Sequence, residues 1–398
     1  MSAKPQPAPA PQKLILIVDD TPANIGAISG ALRDSYKTKV ATDGQKALAL
    51  ASAEDKPDLI LLDVMMPEMD GYEVCSRLKA DPATREIPVI FLTSQTSADD
   101  ETYGFEVGAV DYVHKPFSPA VVKARVHSHI LLREARAQLA EQLLALNNEL
   151  EMARQIQLSI LPHTLPKLSR LDIAARFLPM TSVAGDFYDF IRVDDEHLGI
   201  LIADVSGHGL PSALIASMLQ VALTAQAAYA AEPAKVLSGL NSALCGKFTQ
   251  NFVTAAYVYV DLEQNLIRYA GAGHPPMLQY RRSTGKTMPV MENGIVLGMF
   301  DEATYDALEL ALEPSDRHVL YTDGIVEAAN SAKEMYGADR FMRFMEKNNA
   351  LNAEQFTEAF LAEIAKWTGE PGGQGQQDDI TLLLFDFERC ARPGLASP

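Results

Sequence analysis

Cysteine is scarce: only Cys75, Cys245 and Cys390 occur in 398 residues, and no two are close in sequence. They offer neither a disulfide framework nor a zinc-binding spacing, so a reducing, cytoplasmic setting is expected. No uninterrupted apolar run is long enough to cross a bilayer, and no membrane span is expected. Residues 1–12 are rich in Pro, Ala and Gln and lack the apolar centre of a signal peptide, which reads as a disordered tail. Basic charge is also in short supply. Against 52 Asp and Glu stand 34 Lys and Arg, a formal net charge of −18 with no basic stripe to offset it. Nucleic-acid phosphates would repel such a chain, which argues against a nucleic-acid partner.

What remains is an apolar content of 47% in a chain too long for one ordinary core. In residues 13–131, short apolar runs alternate with helix-length segments: Leu14–Val18, Lys39–Ala41, Leu59–Leu62, Val89–Leu92 and Val110–Val113. That rhythm predicts an α/β, flavodoxin-like domain with a five-stranded parallel sheet covered on both faces. Residues 132–161 carry no turn signal. Leu139, Leu143, Leu146, Leu150 and Ala153 step by four and three, and Ile156 and Ile160 prolong the stripe. This seam predicts a helical coiled-coil linker and a homodimer formed through it, with a helix lying on its own domain as the alternative. Residues 162–388 group strands and helices in blocks, which predicts an α+β sandwich flanked by helices. Residues 369–377 read as a mobile loop and 389–398 as a tail.

Polar groups at the carboxyl ends of parallel strands meet in one crevice. In the first domain these are Asp19 and Asp20, Asp63, Thr93 and Lys115. Three carboxylates brought together need a hard cation, and Mg2+ suits oxygen ligands. Lys115 offers a charge and Thr93 a hydroxyl to phosphoryl oxygens, while Asp63 is placed to be the nucleophile that forms an acyl phosphate. The acidic pair, the Asp63-Val64-Met65-Met66-Pro67-Glu68-Met69-Asp70-Gly71 segment, Thr93 and Lys115-Pro116-Phe117 resemble the receiver domain of two-component response regulators. The resemblance implies phosphorylation of Asp63 by a histidine kinase or phosphotransfer protein. It also implies Mg2+ on Asp19, Asp20, Asp63 and the Met65 carbonyl, Tyr112 as a switch aromatic, and a cis Lys115-Pro116 bond.

The second half carries another acidic set. Asp186 and Asp189 lie in Gly185-Asp186-Phe187-Tyr188-Asp189, Asp204 opens Asp204-Val205-Ser206-Gly207-His208-Gly209, Asp323 precedes Gly324, and Asp378-Asp379 precedes an apolar run. No Lys or Arg stands within these motifs. Oxygen-only ligands without a built-in cation suit Mg2+ or Mn2+, and a pair of such ions about 3.5–4 Å apart can activate water against phosphorus. These motifs resemble the PP2C-like, metal-dependent phosphatases of the bacterial sporulation and stress-response branch. Phe252-Val253-Thr254-Ala255, Gly271-Ala272-Gly273-His274-Pro275-Pro276 and the Arg154-Gln155-Ile156-Gln157 stretch with Leu161-Pro162 add to the match.

The resemblance implies a PPM-type serine/threonine phosphatase with two Mn2+ or Mg2+ ions. Asp186 and Asp204 would bridge them, with the Val205 carbonyl, Asp323 and Asp378 as further ligands and Asp189, Asp379 and His208 in support. His274 and His208 are weighed as proton donors against turn or packing roles. The implied substrate is a phosphorylated STAS-type anti-sigma antagonist. A catalytically inert docking protein under receiver control is the alternative.

Overall fold

The structure, a computed structural model, describes residues 12–94, 98–248, 250–369 and 378–387. The two tails and the 369–377 loop expected from sequence lie outside these residues, apart from Gln12 and Gly369. The chain divides into two compact units, Met1–Ala145 and Leu146–Pro398.

The first unit contains β1 (Leu14–Val18), α1 (Pro22–Leu32), β2 (Lys37–Ala41), α2 (Gly44–Ala51), β3 (Leu59–Asp63) and α3 (Gly71–Ala80). It continues with β4 (Val89–Thr93), α4 (Ala98–Glu106), β5 (Asp111–His114) and the start of α5 (Pro119–Ile160). All strand pairs are parallel, in the order β2-β1-β3-β4-β5. The apolar runs are unbroken because both faces of the sheet are covered. Leu16, Val18, Ile60 and Leu62 pack with Val74 and Leu78, while the alternate Ile15, Ile17, Leu59 and Leu61 pack with Ile28, Leu32, Val122 and Val126. Asp43 and Asp70 cap α2 and α3, each accepting a backbone N–H three residues on at 2.8 Å. This is the five-stranded parallel fold expected from the sequence.

The linker differs from expectation in where it begins. Helix α5 runs unbroken from Pro119 to Ile160, because no Gly or Pro interrupts it, and the division between the units falls inside it. Leu139, Leu143 and Leu146 on the heptad seam are exposed.

The second unit holds β6 (Leu171–Leu178), β7 (Phe187–Arg192), β8 (His197–Val205), α6 (Leu210–Ala225), α7 (Pro233–Leu244), β9 (Val253–Asp261), β10 (Leu266–Ala272) and β11 (Met277–Arg281). Then come β12 (Lys286–Val290), β13 (Asn293–Gly294), β14 (Leu308–Ala311), β15 (Arg317–Tyr321), α8 (Asp323–Val326), α9 (Ala338–Lys347), α10 (Ala353–Thr368) and β16 (Ile380–Phe387). One sheet runs β13-β10-β9-β8-β7, with β14 also on β10, and the other runs β12-β11-β15-β16-β6. The two-residue period sorts the layers. Leu320, Leu383 and Phe385 join the core shared with Ile200, Ile202 and Val258 of the first sheet. Their neighbours Val319, Tyr321, Leu382 and Leu384 pack with Phe341, Phe356 and Phe360 of α9 and α10. Tyr257 points the other way, donating its hydroxyl to Ala230 O beyond α6 at 3.0 Å. The result is the helix-flanked β-sandwich expected from the sequence.

Strands β12, β13 and β14 and the short α8 are absent from the sequence reading. Strand β12 is an edge strand that contains Pro289, and β14 reads Leu-Glu-Leu-Ala, residues that favour helix.

One buried ion pair ties the second sheet to its helices. Arg317 meets Asp386 through two hydrogen bonds, Nε–Oδ1 at 2.8 Å and Nη2–Oδ2 at 2.7 Å, donates to Leu351 O, and lies over the Phe356 ring. Removing one partner of a buried pair strands the other, so Arg317→Met should cost about 3 kcal/mol in urea unfolding. His318 beside it is fully buried, stacked on Phe385, and burial pushes its pKa down to about 3. Unfolded histidine titrates near 6.5, so between these values the unfolded chain binds the extra proton. The contribution of this histidine to the stability of the second unit, read as the difference between the parent and His318→Phe, should therefore fall as pH drops below about 6.5, by up to roughly 1.4 kcal/mol per pH unit. Urea unfolding of the parent and of His318→Phe at pH 7, 6 and 5 checks it, the parent losing ground to the variant at each step down.

Candidate active sites

In the first unit the strand order brings the ends of β1, β3, β4 and β5 side by side. Asp63 and Thr93 are the last residues of β3 and β4, and Asp19 and Lys115 follow β1 and β5 directly. Asp19 and Asp63 are buried, whereas Asp20 is exposed, and one oxygen of each lies within 4.8 Å of the others. Lys115 Nζ sits 2.9 Å from Asp19 Oδ2 and 2.8 Å from Asp63 Oδ2. Asn24 donates to both Asp19 oxygens at 3.0 Å, and the Thr21 N–H donates to Oδ1 at 2.8 Å. The Met65 N–H reaches Asp63 Oδ1 at 3.3 Å, which holds the Met65 backbone against the nucleophile candidate. Gly71 is required at the next helix, since a Cβ there would stand 2.3 Å from Asp63 O. The Lys115-Pro116 bond is cis. Tyr112, on β5, is partly buried and meets the edges of Phe105 and His114.

Burial raises the Asp63 pKa, and the Lys115 hydrogen bond opposes the rise only in part. Burial would lower Lys115, but its hydrogen bonds to Asp19 and Asp63 outweigh that and leave it raised. Three carboxylates and one ammonium leave an excess of negative charge on oxygen ligands, which fits a hard divalent cation such as Mg2+.

The second unit gathers its acids differently. Asp186 precedes β7 and Asp204 is the penultimate residue of β8, both in the first sheet. Asp323 opens α8 after β15, and Asp378 lies just before β16, both from the second sheet. Two threonines tie the sheets together here. Thr322 and Thr381 both donate their hydroxyls to Asp186 Oδ2, at 2.7 and 2.6 Å. Burial, then the Asp204 charge, holds Asp186 well above the usual carboxylate range. Asp204 is pushed up to about 7 by burial and by Asp323, Asp378 and Asp379, and Asp323 to about 6 by burial and Asp378. Among the described residues no Lys or Arg forms an ion pair with Asp186, Asp204 or Asp323.

Such a set is the donor chemistry of a divalent-cation site: buried and half-buried oxygen ligands that repel one another until positive charge arrives. No three of these carboxylates share one tight cluster, the trio in the first unit being the one such group among the described residues. Spread ligands suit two ions better than one.

The backbone fits the same purpose. A Cβ on Gly185 would lie 2.7 Å from the Val205 carbonyl oxygen, and one on Gly324 would lie 2.1 Å from Asp379 O. Asp379 accepts the N–H groups of Met180 and Gly185 at 2.7 and 2.6 Å, so it braces the segment that carries Asp186. Asp189 stands apart on β7, accepting the Phe190 N–H at 2.8 Å, and His208 is exposed in the turn before α6. His274 is buried, bonded at Nδ1 to Thr254 Oγ1 at 2.9 Å, and burial pushes its pKa down to about 3. Burial thus favours the neutral ring, which suits the packing role more than that of a proton donor.

Thr322, Thr381 and Gln157 carry no role in the sequence reading, although each lies within a few residues of a motif named there. Thr322 and Thr381 meet Asp186 across 136 and 195 residues of chain. Gln157, near the end of α5, both donates to Ala184 O (2.6 Å) and accepts the Ala184 N–H (2.9 Å), two residues before Asp186.

The family model described as Stage II sporulation protein E (SpoIIE) matches residues 194–388, and the response regulator receiver domain model matches residues 15–127. Phosphoserine phosphatase RsbU of Bacillus subtilis is 32% identical over 241 residues, covering 60% of this chain and 70% of the relative. The solved SiaA-PP2C domain of Pseudomonas aeruginosa matches with 26% identity and a TM-score of 0.56, over 63% of this chain and all of that one. A probable cyclic di-GMP phosphodiesterase of Vibrio cholerae is 48% identical over 131 residues, 33% of this chain, and the chain spans only 30% of that relative's length. The class is thus a receiver joined to a PP2C-like domain. The chain belongs to the SpoIIE family of PP2C-like serine/threonine phosphatases and carries a response-regulator receiver at its N-terminal side.

If the second site binds cations, ligand binding must stabilise it. Mn2+ at a hundred times its Kd should raise the unfolding free energy of the second unit by about 2.7 kcal/mol. Asp204→Asn should abolish that gain yet leave the metal-free protein at least as stable as the parent, because one of the repelling buried carboxylates is gone. Urea titrations with Mn2+ and with chelator read both effects.

Proposed function

We propose that this chain is a receiver-controlled, metal-dependent phosphatase acting on phosphoserine or phosphothreonine of a partner protein. The observation that carries the reading is buried Asp186, held by Thr322 and Thr381 from the opposite sheet and facing the charge of Asp204, with no lysine or arginine paired to either among the described residues. Asp186 and Asp204 would bridge two Mn2+ or Mg2+ ions, with the Val205 carbonyl, Asp323 and Asp378 completing their ligands. The bound ions would supply a water of lowered pKa for attack on phosphorus. The threonines keep Asp186 Oδ2 occupied and so fix the carboxylate's orientation. Asp379 holds the Met180–Gly185 segment, while Asp189 and His208 lie at the margin of this arrangement.

Similarity to a phosphoserine phosphatase supports the reaction class. The partner we infer is a phosphorylated STAS-type anti-sigma antagonist, as the family resemblance implies. In the receiver, Asp63 would accept a phosphoryl group from a histidine kinase or phosphotransfer protein. Mg2+ would lie on Asp19, Asp20, Asp63 and the Met65 carbonyl, and Thr93, Lys115 and Tyr112 would respond to the new charge. The exposed leucine seam of α5 supports a homodimer through the coil. Gln157 gives α5 a direct hold on the backbone beside Asp186, so a shift of the helix would change the metal ligands.

Phosphate release from a phosphoserine-bearing STAS protein should require Mn2+ or Mg2+. Asp204→Asn should slow it by a factor of about 1,000, equivalent to about 4 kcal/mol of transition-state stabilisation. Acetyl phosphate should change the rate of the parent but not of Asp63→Asn. Gln157→Leu should accept phosphate on Asp63 yet lose the rate response. Equal rates for Asp204→Asn and the parent would return the chain to the docking reading.

A further inference from the structure

The sequence shows no basic stripe and a net charge of −18, yet the fold gathers basic side chains into one pocket of the first unit. One wall is a face of α5, where His129, Leu132, Arg133 and Arg136 stand at i, i+3, i+4 and i+7. The other wall is the end of α3 and the segment leading to β4, with Lys79, Arg85, Glu86 and Pro88, joined by Val110 before β5. The cavity measures about 600 Å3, within the range of small-molecule sites.

The charges around this pocket do not cancel. Arg133 donates to Asp58 O at 2.6 Å and stands 3.6 Å from Asp58 Oδ1, so its charge is met. Lys13, which also reaches Asp58, has Glu134 at 3.1 Å. The Asp111 carboxylate takes two hydrogen bonds from Arg125 and meets His129 Nε2 at 3.0 Å. Arg85 Nε lies 3.4 Å from Glu86 Oε1, both side chains being exposed. Two cations are left over. Lys79 Nζ donates to the carbonyls of Arg85 and Ile87 at 2.8 and 2.7 Å, which fix the ammonium without neutralising it. Arg136 has no ion pair or hydrogen bond among the described residues.

Leu132 and Arg136 also continue the seam of α5 backwards from Leu139 in steps of three and four. Arg136 thus breaks a row of leucines with an unpaired charge, in a register where a partner helix would favour an apolar residue. An anion suits that position better than a helix does. Leu132 and Val110, 46% and 39% exposed, offer uncovered apolar carbon beside the charges. A guanidinium fork matches phosphoryl oxygens and stacks on planar rings. At neutral pH a phosphomonoester carries nearly two negative charges, which matches the two cations left over.

We propose that this pocket binds a phosphomonoester of nucleotide size, its phosphoryl group answering Lys79 and Arg136 and its planar body lying against Val110 and Leu132. A dicarboxylate carries the same charge but neither the tetrahedral oxygens nor the ring. Such a ligand would touch both the α3–β4 segment and α5, shortly before the helix passes from the first unit to the second. Its binding would hold that stretch of α5 to the receiver. The inference goes beyond the proposed function and does not rest on it.

Calorimetric titration of the full chain with AMP, inorganic phosphate and succinate, in metal-stripped buffer so that neither acidic site attracts the anions, tests it. AMP should bind one-to-one and about ten-fold more tightly than inorganic phosphate, because its base covers Leu132 and Val110. Arg136→Gln should weaken AMP and inorganic phosphate alike by about ten-fold, the loss of one charge-assisted hydrogen bond. Leu132→Ser should erase most of the advantage of AMP and leave inorganic phosphate unchanged. Both positions are exposed, and a urea midpoint equal to the parent's verifies that each variant folds. No saturable binding of AMP at millimolar concentration would overturn the proposal, as would an AMP affinity unchanged in Arg136→Gln or equalled by succinate. Phosphate release plays no part in the readout, so the result stands or falls apart from the proposed function.

Discussion

Mutual repulsion of buried carboxylates is the constraint around which both units are organised. Moving an ionised carboxylate out of water is costly, and placing several together multiplies the cost. The fold accepts it in two places and answers it in two ways. In the receiver, Lys115 bridges Asp19 and Asp63, so most of the burden is met by a side chain of the protein itself. In the phosphatase unit no such cation is paired with Asp186, Asp204 or Asp323 among the described residues. Hydroxyl donors hold Asp186 instead.

That difference in compensation has a functional meaning. A lysine that spans two carboxylates can be drawn off by a phosphoryl group, because its bonds are few and exchangeable. The receiver site is therefore suited to changing state. An uncompensated acid pocket is suited to holding divalent ions and to weakening when its geometry is disturbed. Helix α5 belongs to the first unit at one end and grips Ala184 through Gln157 at the other. One element thus runs from the unit that holds the first acidic cluster to the backbone beside Asp186.

Close approach of main chains sets the fine geometry of both sites. Gly71 lets α3 start against the carbonyl of Asp63, Gly185 lets the Asp186 segment lie against the carbonyl of Val205, and Gly324 lets α8 start against Asp379. In each case a single Cβ would force apart two segments that carry acids. The glycine beside each acid is therefore as much a part of the site as the carboxylate.

Much of this was legible without coordinates. Unbroken apolar runs implied a sheet buried on both faces, strand-end acids implied a shared crevice, and glycine-flanked aspartates marked a second acidic pocket. These features are local, and their physics acts over a few residues. What only the folded chain decided involves partners far apart in sequence. Thr322 and Thr381 could not be matched to Asp186 by spacing, because the bond exists only once two sheets face each other. Edge strands β12 and β14 owe their form to neighbours β11 and β10 rather than to their own residues. From sequence His274 is a proton donor or a turn or packing residue, and it is burial that favours its neutral form. Local sequence sets which groups are available, and the packing of distant segments sets their solvation and partners, on which charge depends.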